Sequence, residues 1–337
     1  QKCIRNINND RFVKDVLRKE KNPFVITYES LGELNKDKTI CIYKTSDSKA
    51  GFFWVFRDVL NFLYFSDRFN FIPVVSFNED FLYAEKEMVN GTKNPFEYYF
   101  QKTSDIGIGE AYLSYNIVKY QWYYNKLAES LKEKNGGYVI SKKYIDVMST
   151  IIKKYIKLSP LINDYIYNGI NNMINSRKTL GVHFRGADYK VGFNRHPVYV
   201  KPEDYIEIIT EALAKYNFEK IFLATDDLSA IEIFKEAFGD KIVYYQNVVR
   251  TADIKSVVYS SSTREQHHYL LGLEVLRDMY TLANCEGLIG GRSQVSICAQ
   301  ITKLSMDQQY EYLYVIDKGL NKSKRTRYIE KYIKNMA

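Results

Sequence analysis

Residues 179–192, TLGVHFRGADYKVG, set His183, Arg185 and Asp188 at H-x-R-x-x-D spacing directly behind an apolar run. An arginine is planar, permanently charged and able to grip two phosphate oxygens at once. At a strand end facing a crevice, Arg185 suits a diphosphate; its competing use is an ion pair with Asp188 or Asp226. His183 lies two residues earlier and shares a sheet face with Arg185. It is either a packed, satisfied residue or a second ligand contact. Two more clusters carry chemistry. Asp226 and Asp227 follow the apolar run KIFLAT (220–225). One of them suits a helix N-cap, which leaves the other carboxylate to accept from a ribose hydroxyl or a base N–H. GGRSQV (290–295) places Arg292, Ser293 and Gln294 at the start of a helix. The first backbone N–H groups of that helix, with the Ser293 hydroxyl, form an anion site without a metal. A tight turn capped by Ser293 is the plainer reading, and the two are compatible.

These clusters need a frame. From residue 179 onward, short apolar runs alternate with helical patterns: TLGVHF (179–184), KIFLAT, KIVYY (241–245) and GLIG (287–290) read as strands. Between them, 201–218 carries Tyr205, Ile208, Ile209, Ala212 and Leu213 at helical spacing after Pro202. Asp226 and Asp227 open a helix that Gly239 ends, and a long helix covers about 265–284. Such alternation means right-handed crossovers and a parallel sheet. Ligands of such sheets bind at the carboxyl ends of the strands. Three strand ends therefore bring their polar groups to one edge. The first half reads as mixed α/β: strands at 38–45 and 69–77, an aromatic helix at 52–67, and helices at 115–135, 141–158 and 161–175. INSRK (174–178) is the candidate hinge. The expected domains are 1–175, an α/β acceptor-side domain, and 176–337, a Rossmann-like donor domain whose last helix packs back on the first.

Composition limits the function classes. The chain has 337 residues, 46% hydrophobic and 26% charged, as expected of a globular protein of two domains. The chain opens at Gln1 without a Met, which leaves room for a preceding segment. No run of apolar residues reaches the length of a membrane span. Cys3, Cys41, Cys285 and Cys298 are scattered, with no C-x-x-C pair, which suits a reducing, cytoplasmic compartment. Four histidines without H-x-x-x-H spacing argue against a metal site. The net charge of +8 and the basic run KSKRTR (322–327) fit a solvated face or contact with an anionic membrane surface; no nucleic-acid motif accompanies them. Neither G-x-x-x-x-G-K-[ST], G-x-G-x-x-G after a strand, nor G-x-S-x-G occurs.

VHFRGADYKVG, FLATDDLS and SQV ahead of a helix resemble, in order and spacing, three motifs of the α1,6-fucosyltransferase superfamily. That group spans core and nodulation fucosyltransferases and, further off, protein O-fucosyltransferases and bacterial α1,2-fucosyltransferases. The likeness covers about 178–305, and AGFFWVFRDVLNFLYF (50–65) is weakly similar to the family's N-terminal Gly loop and helix. It implies a GT-B-like α/β fold, two Rossmann-type domains facing across a cleft, and a metal-independent enzyme that uses GDP-fucose. In that reading Arg185 holds the β-phosphate and stabilises departing GDP, and His183 and Asp226 contact the nucleoside. Asp227 and Arg292 stand beside them in the donor site. Ser293 and Gln294 bind the diphosphate, and Gly51 lines the same cleft. The sequence departs from the pattern in three places. Gly186 replaces a second Arg, one residue is inserted between Asp188 and Lys190, and Phe193 and Asn194 follow Gly192 where core enzymes place a Glu base. Asp188 is then the best-placed carboxylate for the acceptor hydroxyl. Trp54, Tyr98, Tyr99, Trp122, Tyr123 and Tyr124 either stack on acceptor sugars or pack a core. The expected activity is inverting transfer of a sugar from its GDP donor to a glycan hydroxyl in bacterial surface polysaccharide. GDP-mannose or GDP-heptose is the alternative donor, and a non-catalytic nucleotide- or glycan-binding protein is the alternative of another class.

Overall fold

The computed structural model describes residues 3–5, 26–45, 49–131, 140–174, 177–192, 196–252, 259 and 262–322. The chain divides into two compact units. The first is Gln1–Asp164 with His268–Leu273 and Leu304–Met306; the second is Tyr165–His267 with Glu274–Lys303 and Asp307–Ala337. The division at Asp164 and Tyr165 falls inside a helix, Pro160–Ile174, upstream of the candidate hinge at 174–178. Among the described residues, no helix is long and apolar enough to cross a membrane.

In the first unit, β1 (Cys3–Arg5) pairs antiparallel with β2 (Ile26–Tyr28). The main sheet has three parallel strands in the order β4-β3-β5: β3 (Leu34–Lys44) is central, flanked by β4 (Ile72–Ser76) and β5 (Ser114–Lys119). Pro73, which has no N–H to give a ladder, sits on the edge strand β4. The helix α1 (Phe52–Arg68) buries almost its whole surface, as its aromatic composition demands. Phe65 stacks on Tyr124 with centroids 4.6 Å apart, and Phe56 on Phe100 at 5.4 Å. The expected helix over 115–135 is a correction: 114–119 is β5, followed by a 3₁₀ turn (Trp122–Asn125) and one helical turn (Lys126–Glu129). Ile117 and Val118 are fully buried beside β3, so tertiary pairing overrides the local pattern. Tyr98, Tyr99 and Tyr124 are likewise core residues with no exposed surface, not stacking platforms; Trp54 is half exposed. The side chains of Trp122 and Tyr123 lie outside the described residues. The helix α2 (Lys142–Tyr155) starts at Ser141, whose hydroxyl accepts from the Tyr144 N–H at 3.1 Å. The helix already noted, α3 (Pro160–Ile174), leads toward the second unit's sheet.

The second unit holds five parallel strands in the order β10-β9-β6-β7-β8. β6 (Thr179–Phe184) is central and buried at all six positions, as expected of a strand covered on both faces. On one face Leu180, Val182 and Phe184 join a core with Ile209 and Phe234. Those partners come from α4 (Pro202–Tyr216), with Pro202 in its first turn, and α5 (Leu228–Phe238), ended by Gly239 at φ 56°. On the other face Gly181 lies against Leu282 and Cys285, so a side chain there would crowd α6 (His267–Asn284). β7 (Lys220–Thr225), β8 (Ile242–Val243) and β9 (Gly287–Gly291) occupy the runs read as strands. α7 (Gln294–Ser305) follows β9, and β10 (Tyr312–Ile316) closes the edge. Cys41, Cys285 and Cys298 are buried free thiols.

Candidate functional site

Register decides what meets at the edge. His183 of β6 lies opposite Ala224 of β7 and Gly290 of β9, so Arg185, Asp226 and Gly291–Ser293 leave the sheet side by side. Arg185 and Asp226 form an ion pair at 2.6 Å, with 30% and 14% of their side chains exposed. The guanidinium also lies over the Tyr189 ring, 5.7 Å from its centroid. The pairing with Asp226, one of the two readings of Arg185, is thus present while the guanidinium still faces solvent. Asp226 also accepts from the Gly186 N–H at 3.1 Å.

Gly186 explains itself here. A Cβ at this position would run into the Cβ and carboxylate of Asp227. No larger residue fits unless the Asp pair moves. Asp227 is the N-cap of α5, accepting from the Ser229 N–H at 3.0 Å and its hydroxyl at 2.6 Å. It also pairs with Lys190 at 2.5 Å. Burial opposes its charge, but Lys190 and Ser229 outweigh that and hold the carboxyl below its ordinary range.

His183 is 5% exposed, and its Nδ1 lies 2.9 Å from the Ser296 hydroxyl and 3.0 Å from that of Ser293. Burial first, then the Arg185 charge, push its pKa down to about 3, so the imidazole is neutral. Ser293 caps α7, its hydroxyl accepting from the Ser296 N–H at 3.1 Å. The imidazole and the two hydroxyls therefore tie the central strand to the start of α7. Gly290 lets helix and strand approach, since a Cβ there would meet the Ser296 hydroxyl. Gln294 opens α7 half-buried. Arg292, whose side chain is 18% exposed, pairs with Asp317 just past β10.

Of these groups Arg185, Arg292 and Ser293 border a small open cleft whose lining lies wholly within the second unit; His183, Asp226, Asp227 and Gln294 stand behind its wall. Its lining includes Arg185, Tyr189, Gly291, Arg292 and Ser293, and from the far side Pro197–Val198, Asp317, Lys318 and Gly319. Two parts of the neighbourhood escaped the sequence reading. The first is β10 with Asp317 and Lys318; its signal is the aromatic and β-branched run YLYVI (312–316) followed by a polar turn. The second is a buried charged cluster behind the ends of β7 and β8. There Arg250 donates to the Thr225 carbonyl at 3.1 Å and the Tyr245 carbonyl at 2.8 Å. Arg277 lies over the Tyr245 ring at 3.7 Å and donates to Asn247 at 2.9 Å. Glu274 accepts from the Val249 N–H at 3.2 Å and pairs with Arg264. Burial raises Asp278 to about 7, with Arg250 and Arg277 pulling the other way. Its signal was Glu274, Arg277 and Asp278 at i, i+3 and i+4 on an otherwise apolar helix.

Gly51 belongs to the first unit, exposed at the N-terminus of α1. The side chain of Asp188 lies outside the described residues, as does most of the basic run 322–327. Among the described residues, no group of three or more His, Cys, Asp or Glu is placed to hold a metal ion.

No protein-family model matches the chain, and no curated protein does. Solved structures do. The α1,6-fucosyltransferase NodZ, co-crystallised with GDP, aligns over 79% of this chain and 92% of its own, at 16% identity and a TM-score of 0.50. NodZ from Bradyrhizobium aligns over 79% and 93%, at 17% identity and 0.49. POFUT1 in complex with GDP-fucose aligns over 82% and 98%, at 12% identity and 0.49. At these identities the first of these likenesses establishes the fold: mixed α/β with parallel sheets, GT-B-like.

Proposed function

We propose that this chain is a glycosyltransferase that binds a GDP-sugar in the second unit and transfers its sugar, fucose in the first instance, to a glycan hydroxyl. The observation that carries the reading is the convergence of Arg185, Arg292 and the Ser293-capped start of α7 on one cleft at the carboxyl ends of β6 and β9. Cleavage of the sugar–oxygen bond places charge on the diphosphate. Preorganised guanidinium and backbone N–H donors stabilise that charge where it develops. Arg185 is the phosphate grip, Asp226 its orienting partner and nucleoside contact, and Arg292, Ser293 and Gln294 the diphosphate cradle. His183 holds the cradle against the strand, and Asp227 holds the Lys190 loop. A single displacement inverts the anomeric centre, and no metal is needed in this scheme because the cations are side chains. The fold likeness to a fucosyltransferase co-crystallised with GDP and the three sequence motifs support the same donor. The setting is a bacterial surface polysaccharide, made at the cytoplasmic face of the membrane.

A second donor is favoured by one observation. Gly186 stands where the resembled family keeps a second Arg, and the Asp227 contact leaves no room for one. GDP-mannose or a GDP-heptose is therefore the rival substrate. Titration calorimetry with GDP, with and without a chelator, tests the shared part: binding unaffected by the chelator is expected, and no binding in either condition refutes it. GDP release from GDP-fucose, GDP-mannose and a GDP-heptose then ranks the donors.

A further inference from the structure

The cleft holds one feature the donor reading leaves unused. Among the described residues, Asp317 is the single carboxylate that lines it. Asp226 and Asp227 are only 14% and 2% exposed, and neither lines the cleft. Asp317 is 37% exposed and sits just past β10, reaching the cleft from the side opposite Arg185's strand neighbour β7. Its Oδ1 accepts from the Gly319 N–H at 2.8 Å and its Oδ2 pairs with Arg292. Those contacts fix the carboxylate without filling it, because each oxygen carries two lone pairs. Arg292, the residue before Ser293, thus joins the capped start of α7 to the carboxylate at Asp317.

Resting on the GDP-sugar reading above, we infer that Asp317 is the general base for the acceptor hydroxyl. As the acceptor oxygen bonds to the anomeric carbon, its proton passes to an Asp317 carboxylate oxygen. The bond from that carbon to the diphosphate oxygen breaks, and its electron pair leaves on GDP, facing Arg185. Arg292 is drawn toward the added phosphate charge, which loosens its hold on Asp317 and frees the carboxylate to accept the proton. Donor binding therefore primes the base. Lys318 is held aside by Asp204 at 2.5 Å, so it does not compete for Asp317.

The test is GDP release from GDP-fucose with water as acceptor, for wild type, Asp317→Asn, Asp317→Ala, Arg292→Gln, the Asp317→Asn/Arg292→Gln double variant and Asp188→Asn. Loss of a general base predicts a rate lowered by about 10²–10⁴-fold in the Asp317 variants. GDP affinity by calorimetry, which also reports folding, stays equal to or rises above that of wild type, since the lost step is chemical and Arg292 no longer has to leave its pair. The acid limb of the wild-type rate–pH profile disappears in Asp317→Asn, and added formate restores part of the rate in Asp317→Ala. A purely structural Asp317 would move neither signature. The inference is overturned if Asp317→Asn turns over within threefold of wild type, or if its loss is matched by lost GDP affinity. It is equally overturned if the double variant is no slower than Arg292→Gln, or if Asp188→Asn alone abolishes the acid limb. Absence of GDP binding by wild type refutes the donor reading itself and the base with it, an outcome separate from all of these.

Discussion

Both units carry parallel strands, and both bring strand ends to one edge, yet the ends are finished differently. In the first unit, Thr45, Asn78 and Asn94 close the ends of β3 and β4 with neutral groups. Asn94 accepts from the Phe77 N–H at 3.0 Å and donates to the Val75 carbonyl at 2.9 Å, and Asn78 donates to the Thr45 carbonyl at 3.0 Å. Each of these bonds satisfies backbone that would otherwise be orphaned. In the second unit the ends of β6, β7, β9 and β10 carry Arg185, Asp226, Arg292 and Asp317 in ion pairs beside a cleft. The arginines show the same contrast: Arg57 is 5% exposed against the Tyr144 ring, while Arg185 keeps 30% of its side chain open. One edge is closed by neutral hydrogen bonds; the other keeps its charges in ion pairs beside a cleft.

The largest expected effect breaks the charged edge. Arg185→Ala should slow GDP release from the donor by about 10²–10³-fold, the cost of losing one preorganised charge donor. Circular dichroism should stay native; an unchanged rate would remove the contrast between the edges. Gly186→Ala forces a Cβ onto Asp227 and should lower urea stability by about 1–3 kcal/mol, while a neutral outcome would mean the Asp pair yields easily. Stability should also fall with pH through His183. Its folded pKa, about 3, lies below the ordinary 6.5, so the unfolded chain binds the extra proton. This contribution is complete above about pH 6.5 and shrinks by up to about 1.4 kcal/mol per pH unit toward pH 3. Chemical denaturation at pH 7.5 and 5.0 should show that slope in wild type and not in His183→Gln. Asn94→Ala should cost about 1–2 kcal/mol by leaving the Phe77 N–H unpaired, and should leave GDP affinity untouched. A change in GDP affinity would show that the neutral edge also serves the ligand.

Much of the second unit was legible. The runs 179–184, 220–225 and 287–290 are apolar because both faces of those strands are covered, and the caps at Asp227 and Gly239 use local chemistry. The first unit was less so. Residues 115–119 read as the start of a helix over 115–135 because the pattern of a short segment does not reveal that β3 lies beside it. The aromatics at 98, 99 and 124 could have faced sugars or a core, and composition does not separate the two; packing around α1 does.

By itself, the sequence determined a parallel α/β unit and three polar clusters at its strand ends, because periodicity and caps are local properties of the chain. It also marked Gly186 as unusual. Only the tertiary structure decided that Asp227 is the reason for that glycine, that His183 is neutral beneath two serines, and that β10 returns to set Asp317 against Arg292. Each of these depends on groups far apart in the chain brought within a few ångströms, where desolvation and charge act only once the fold is closed.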